Sequence, residues 1–143
     1  MVARVHSVPV VATVTILLVD DEPSLRAVVG RLLKQAGYDV LEAGDADHAV
    51  EVFGRSRRID ILLTDVTMPG RNGRQLADEL TSSNPSLRVI FMSGHYQDPV
   101  LEARVASDTV AFLEKPFSKE ELVEKVRQVL ISGSGTYPVT RPR

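Results

Sequence analysis

The chain has 143 residues, the size of one domain, with 43% hydrophobic and 25% charged residues, which suits a globular protein and excludes a disordered or fibrous one. Its 17 basic and 19 acidic residues are mixed along the sequence for a formal charge of -2, so no field for gripping nucleic acid or anionic lipid is expected. Without cysteine there is no disulfide framework, thiolate zinc site or cysteine nucleophile, and a cytoplasmic location fits.

The longest apolar run, 8–19, is broken by Pro9, Thr13 and Thr15 and is too short to span a bilayer. It runs straight into Asp20-Asp21-Glu22 with no small-residue cleavage site, so it reads as a flexible leader over 1–13 followed by a buried strand, not a signal peptide. From there strand-like and helix-like runs alternate, with strands expected at 15–19, 39–43, 59–64, 89–92 and 109–114. Ile16-Leu17-Leu18-Val19 has no polar alternation, as expected of a strand covered on both faces. In the first helix Leu25, Val28, Val29, Leu32, Leu33 and Ala36 fall at helical spacing, with Pro23 suited to its first turn and Gly37 to its end. Ala46, Ala49, Val50 and Phe53 mark a second helix after Asp45 as N-cap, and Leu76, Ala77 and Leu80 mark a shorter third. The segment 98–106 has the poorest helical pattern. Ser118 and Glu121 form a capping box for the last helix, whose Leu122, Val126, Val129 and Leu130 line one face. Gly and Ser then open a flexible tail over 132–143.

Strict strand–helix alternation with short connections implies one domain over 14–131, an α/β doubly wound five-stranded parallel sheet with helices on both faces. Sites in such sheets form at the carboxyl ends of the strands. There the first strand ends in Asp20-Asp21-Glu22, the third in Asp65, the fourth in Ser93 and the fifth in Lys115, while the second ends in nothing comparable. In the flavodoxin-like order 2-1-3-4-5 the four strands bearing these groups are neighbours. Taken singly, each group has a plainer reading as a helix N-terminus, a turn or a surface lysine. Taken together, three carboxylates repel one another unless a cation sits among them, and oxygen ligands suit Mg²⁺, or Mn²⁺ in its place.

Val-Asp-Asp-Glu at 19–22, Leu-Thr-Asp-Val-Thr-Met-Pro-Gly at 63–70, Phe-Met-Ser-Gly at 91–94 and Phe-Leu-Glu-Lys-Pro-Phe at 112–117 resemble the blocks of response-regulator receiver domains of two-component signalling. The resemblance implies a regulatory phosphoacceptor, not an enzyme acting on an external substrate. Asp65 would be the phosphoacceptor, Asp21 a direct metal ligand, Asp20 a ligand largely through water, and Thr67 a ligand through its backbone carbonyl. Lys115 would pair with a phosphoryl oxygen and the Asp65 carboxylate, the Ser93 hydroxyl would bond the new phosphoryl group, and Phe112 would occupy the aromatic switch position. A cis peptide bond is implied at Lys115-Pro116. Implied partners are a histidine kinase or histidine phosphotransfer protein and a downstream protein target. The 87–95 and 73–76 stretches are similar to receivers of hybrid sensor kinases, so the chain is either a single-domain regulator or a receiver from a longer protein.

Thr67 and His95 stand where family side chains vary and influence dephosphorylation. His6, His48 and His95 show no metal-ligand spacing, and Arg55, Arg57 and Arg58 read as a solvated helix end. An aspartate-nucleophile phosphatase would carry Asp-x-Asp after its first strand, where this chain has Asp-Asp-Glu. A flavin mononucleotide binder would need a Ser/Thr/Gly-rich phosphate loop there, which the acidic residues would repel. A docking module independent of phosphorylation would have no use for Asp20, Asp21, Asp65, Ser93 and Lys115.

Overall fold

The computed structural model describes residues 13–94 and 111–132. His6, His95, the helix expected at 98–106 and the first two residues of the fifth expected strand lie outside them, as does nearly all of the expected leader and tail.

In chain order the elements are β1 (Thr15–Val19), α1 (Pro23–Gln35), β2 (Asp39–Ala43), α2 (Ala46–Gly54), β3 (Ile61–Asp65), α3 (Gly73–Ser83), β4 (Arg88–Ser93), β5 (Ala111–Glu114) and α4 (Lys119–Ser132). All strand pairings are parallel, and the sheet order is β2-β1-β3-β4-β5, as expected. Side-chain alternation along each strand feeds two cores. Leu17, Val19, Leu62, Val89, Phe91 and Phe112 pack with α2 and α3, whereas Ile16, Leu18, Ile61, Leu63, Ile90 and Met92 pack with α1 and α4. Both faces of the central strands are therefore covered, which explains their unbroken apolar sequence.

The helix ends follow local chemistry. Asp45 accepts the His48 N–H at 2.7 Å, and Ser118 and Glu121 exchange side-chain and backbone bonds at 3.0 and 2.8 Å. At the end of α1, Gly37 takes φ 102. Tyr38 and Gly37 donate back to the carbonyls of Leu33 and Lys34, the Schellman pattern that a left-handed glycine permits. A second capping box, Asn72 with Gln75, starts α3 and was not anticipated.

The third strand differs in register from the expected 59–64. It begins two residues later; just ahead of it Asp60 still bonds Thr15 and Arg88 through its backbone, and its Oδ2 accepts the Thr15 N–H at 2.8 Å. It ends one residue later because Asp65 still pairs with Met92 on β4. The fourth strand extends from 89–92 to Arg88–Ser93.

Candidate functional site

Three strand ends converge on one acidic cleft. Just past β1, Asp20 is buried, with its backbone N–H on the Ala43 carbonyl at 3.2 Å. Its Oδ1 accepts the Glu22 N–H at 2.9 Å, which fixes the turn into α1 and leaves Oδ2 facing Lys115. Asp21 follows on the exposed side of that turn. Asp65 is the last residue of β3, its side chain 13% exposed. From the far side of the sheet Lys115 reaches in: Nζ lies 3.1 Å from Asp20 Oδ2 and 3.3 Å from Asp65 Oδ2. The Lys115-Pro116 bond is cis, as the family resemblance implies. The Lys115 N–H donates to the Ser93 carbonyl at 2.8 Å, which ties the end of β4 to the same corner.

Oxygens of Asp20, Asp21 and Asp65 lie within 4.8 Å of one another. Three carboxylates against the single Lys115 ammonium leave an excess of negative charge in this group, and a hard divalent cation matches both the charge and the all-oxygen donor set. Burial pushes the Asp65 carboxyl above its ordinary value; the Lys115 charge opposes this, and the neighbouring Asp20 carboxylate adds to it. Burial would lower the Lys115 ammonium, but the charges and hydrogen bonds of Asp65 and Asp20 outweigh it and hold the group above its usual value. The cleft thus favours a second positive charge, not loss of the first.

Asp20, Asp21, Asp65 and Lys115 are brought together as the sequence suggested, with the addition that Lys115 bridges Asp20 as well as Asp65. Thr67 is exposed, and its nearby backbone N–H works against the rise of the Asp65 carboxyl. Ser93 is buried at the end of β4. Phe112, paired with Phe91 across β5 and β4, lies in the core shared with α2 and α3. His48 is exposed on α2. Of the basic helix end, Arg55 pairs with Glu51 and Arg58 with Asp60.

Two supporting residues were missed. A Cβ at Gly73 would stand 2.1 Å from the Asp65 carbonyl oxygen, so only glycine lets α3 start against the end of β3. The Asn72-Gly73 pair at a helix start is the signal that could have found it. Arg26, on the first turns of α1, donates to the Asp20 carbonyl at 2.7 Å; nothing in its helical spacing marks it out.

Among the described residues, no helix is long and apolar enough to cross a membrane. The sequence profile of the response regulator receiver domain matches residues 16–127. The chain is 36% identical over 117 residues to the sensor kinase CckA of Brucella abortus, covering 81% of this chain and 12% of that protein. It is 37% identical over 120 residues to the probable transcriptional regulatory protein TcrX of Mycobacterium tuberculosis, covering 82% and 50%. This chain therefore spans half or less of these two curated relatives. Among solved structures, the response regulator TrrA of Thermotoga maritima in complex with Mg²⁺-BeF superimposes with a TM-score of 0.71 at 27% identity, covering 82% of this chain and 99% of that one. The profile match, the sheet order and the clustered strand-end residues agree, and the chain belongs to the response regulator receiver domain family.

Proposed function

We propose that this receiver domain takes a phosphoryl group on Asp65 from a histidine kinase or a histidine phosphotransfer protein and, so modified, changes its binding to a downstream protein. The observation that carries the reading is the placement of Asp65 at the end of a central strand, between the acidic pair Asp20-Asp21 and the Lys115 ammonium. Mg²⁺, or Mn²⁺, would be held by Asp21, Asp65, the Thr67 backbone carbonyl and, largely through water, Asp20. When bound, the ion supplies positive charge for the phosphoryl oxygens.

The chain's own groups account for the rest. An ionised Asp65 oxygen attacks phosphorus in line, the phosphorus–nitrogen bond of the donor imidazole breaks, and no general base is needed because the nucleophile carries no proton. Lys115, charged throughout, neutralises a phosphoryl oxygen as charge spreads over it. The Ser93 hydroxyl donates to the new phosphoryl group, and the shift at the end of β4 reaches Phe112, which lacks a hydroxyl and responds through packing alone. The domain proper spans 14–131, works in the cytoplasm, and is either a single-domain regulator or the receiver of a longer protein such as a hybrid kinase. Its part is regulatory: beyond its own phosphorylation and dephosphorylation it turns over no substrate.

Incubation with a small acyl phosphate, read by intact-protein mass spectrometry, tests this. The parent should gain one phosphoryl group with Mg²⁺ and none with chelator, and Asp65→Asn should gain none in either. Equal labelling of parent and Asp65→Asn removes the reading.

A further inference from the structure

The arginine network behind the acidic pair has no part in the chemistry so far. Arg26 lies on α1 one turn beyond its first residue, with its side chain 22% exposed. Its Nη1 donates to the Asp20 carbonyl at 2.7 Å, and its Nε stands 3.4 Å from Glu42 Oε1 on the edge strand β2. The surrounding backbone leaves room for this pair. A Cβ at Gly30, inside α1, would come within 2.8 Å of Glu42 Oε2, and one at Gly44 within 3.2 Å of Arg26 Nη1. Glycine in a helix interior costs about 1 kcal/mol relative to alanine, and here it is the residue that admits the Glu42 carboxylate.

The carbonyl that Arg26 grips belongs to the residue whose carboxylate faces Lys115, and the next residue is Asp21. On the turn from β1 into α1, Glu22 caps the helix with no side-chain bond. The turn is held by the Asp20 Oδ1 bond to the Glu22 N–H and by Arg26. A planar guanidinium can satisfy a carbonyl and a carboxylate at once from a fixed fork, whereas an ammonium is a point charge that does so less rigidly.

We propose that Arg26 is a positioning residue for the acidic cleft, its guanidinium, braced by Glu42, fixing the Asp20 carbonyl and so the orientation in which Asp20 and Asp21 meet Asp65. This rests on the cation-binding reading of the cleft. Two effects of removing Arg26 oppose each other in sign. By Coulomb attraction alone, deleting a positive charge beside three carboxylates tightens cation binding; loss of orientation weakens it. Groups that orient metal ligands typically cost tenfold or more in affinity when removed, about the size needed to win over a partly screened charge.

The test is calorimetric titration of the full chain with Mg²⁺, paired with thermal unfolding in chelator. Arg26→Ala should bind Mg²⁺ about tenfold more weakly than the parent, and Arg26→Lys should recover part of that loss. Their metal-free unfolding midpoints should change far less than their affinities, so that a general loss of fold is distinguished from a misdirected turn. If Arg26→Ala destabilises the chain, Arg26→Lys alone decides: affinity lowered severalfold with the metal-free midpoint kept supports the role. Mg²⁺ affinity equal to or above that of the parent in the folded variants overturns it. A parent that shows no binding dependent on Asp21 and Asp65 removes instead the reading beneath it.

Discussion

Replacing Gly73 with alanine probes how tightly α3 is set against the site. The added Cβ would lie 2.1 Å from the Asp65 carbonyl oxygen, 3.0 Å from its carbon and 3.2 Å from Thr64 Cγ2. Two of these neighbours are backbone, so no rotamer change relieves the contact, and the pair must separate by roughly 1 Å or more. The same movement strains the 2.8 Å bond from the Gly73 N–H to the Val66 carbonyl. Overpacking of this kind costs about 3 kcal/mol at the upper end of its usual range. Alanine returns about 0.4–1 kcal/mol by stiffening the unfolded chain. The net expectation is a loss of about 2 kcal/mol and a fall in Tm on the order of 5–10 °C. Urea denaturation of Gly73→Ala measures it, with Gly54→Ala as control, since a Cβ at Gly54 meets nothing within 4 Å. Stability of Gly73→Ala within about 0.5 kcal/mol of the parent would refute the steric argument.

Because burial raises the Asp65 pKa in the fold, that group's contribution to stability is present below its unfolded pKa and is lost as pH rises through the folded one. In chelator, the parent should therefore weaken relative to Asp65→Asn as pH rises from about 3.9 toward neutrality, and a flat difference in urea midpoints contradicts this. Mg²⁺ at ten times its Kd should stabilise the parent by about 1.4 kcal/mol, with no gain in Asp21→Ala or Asp65→Ala; calorimetry reads both. Lys115→Met should take up phosphoryl label yet fail to propagate the change, and should move the Asp65 pKa further upward because the opposing ammonium is gone, as carboxyl carbon shifts can follow. Ser118→Ala should cost about 1 kcal/mol through the α4 capping box, seen in chemical denaturation.

The sequence made the sheet legible because its central strands are covered on both faces. Ile16 to Val19 and Ile61 to Leu63 are apolar without alternation, and the helices carry recognisable boundaries, a stop at Gly37 and N-caps at Asp45 and Ser118. The site residues were legible for a related reason: strand ends are fixed by the ladder, so a polar residue just past an apolar run has few places to point. Strand limits were less so. Just ahead of β3 the Asp60 carboxylate accepts the Thr15 N–H, a long-range bond that no local pattern reveals. The bond from Arg26 to the Asp20 carbonyl and the contact of Gly73 with the Asp65 carbonyl involve backbone atoms of other segments; sequence spacing carries no signal for the first, and only the Asn72-Gly73 pair at a helix start points to the second. Arg71, which pairs with Asp47 on α2 and Glu79 on α3, is likewise visible only once those helices are docked.

A receiver is defined by which atom carries the phosphoryl group. An acyl phosphate on Asp65 is labile to base and hydroxylamine, unlike an ester on Ser93 or Thr67. The decisive measurement is peptide mapping by mass spectrometry of the chain phosphorylated with Mg²⁺ present, before and after hydroxylamine. The phosphoryl group should map to the peptide containing Asp65, vanish on hydroxylamine treatment, and be missing from Asp65→Asn. A hydroxylamine-stable phosphate that persists in Asp65→Asn would contradict the account at its centre.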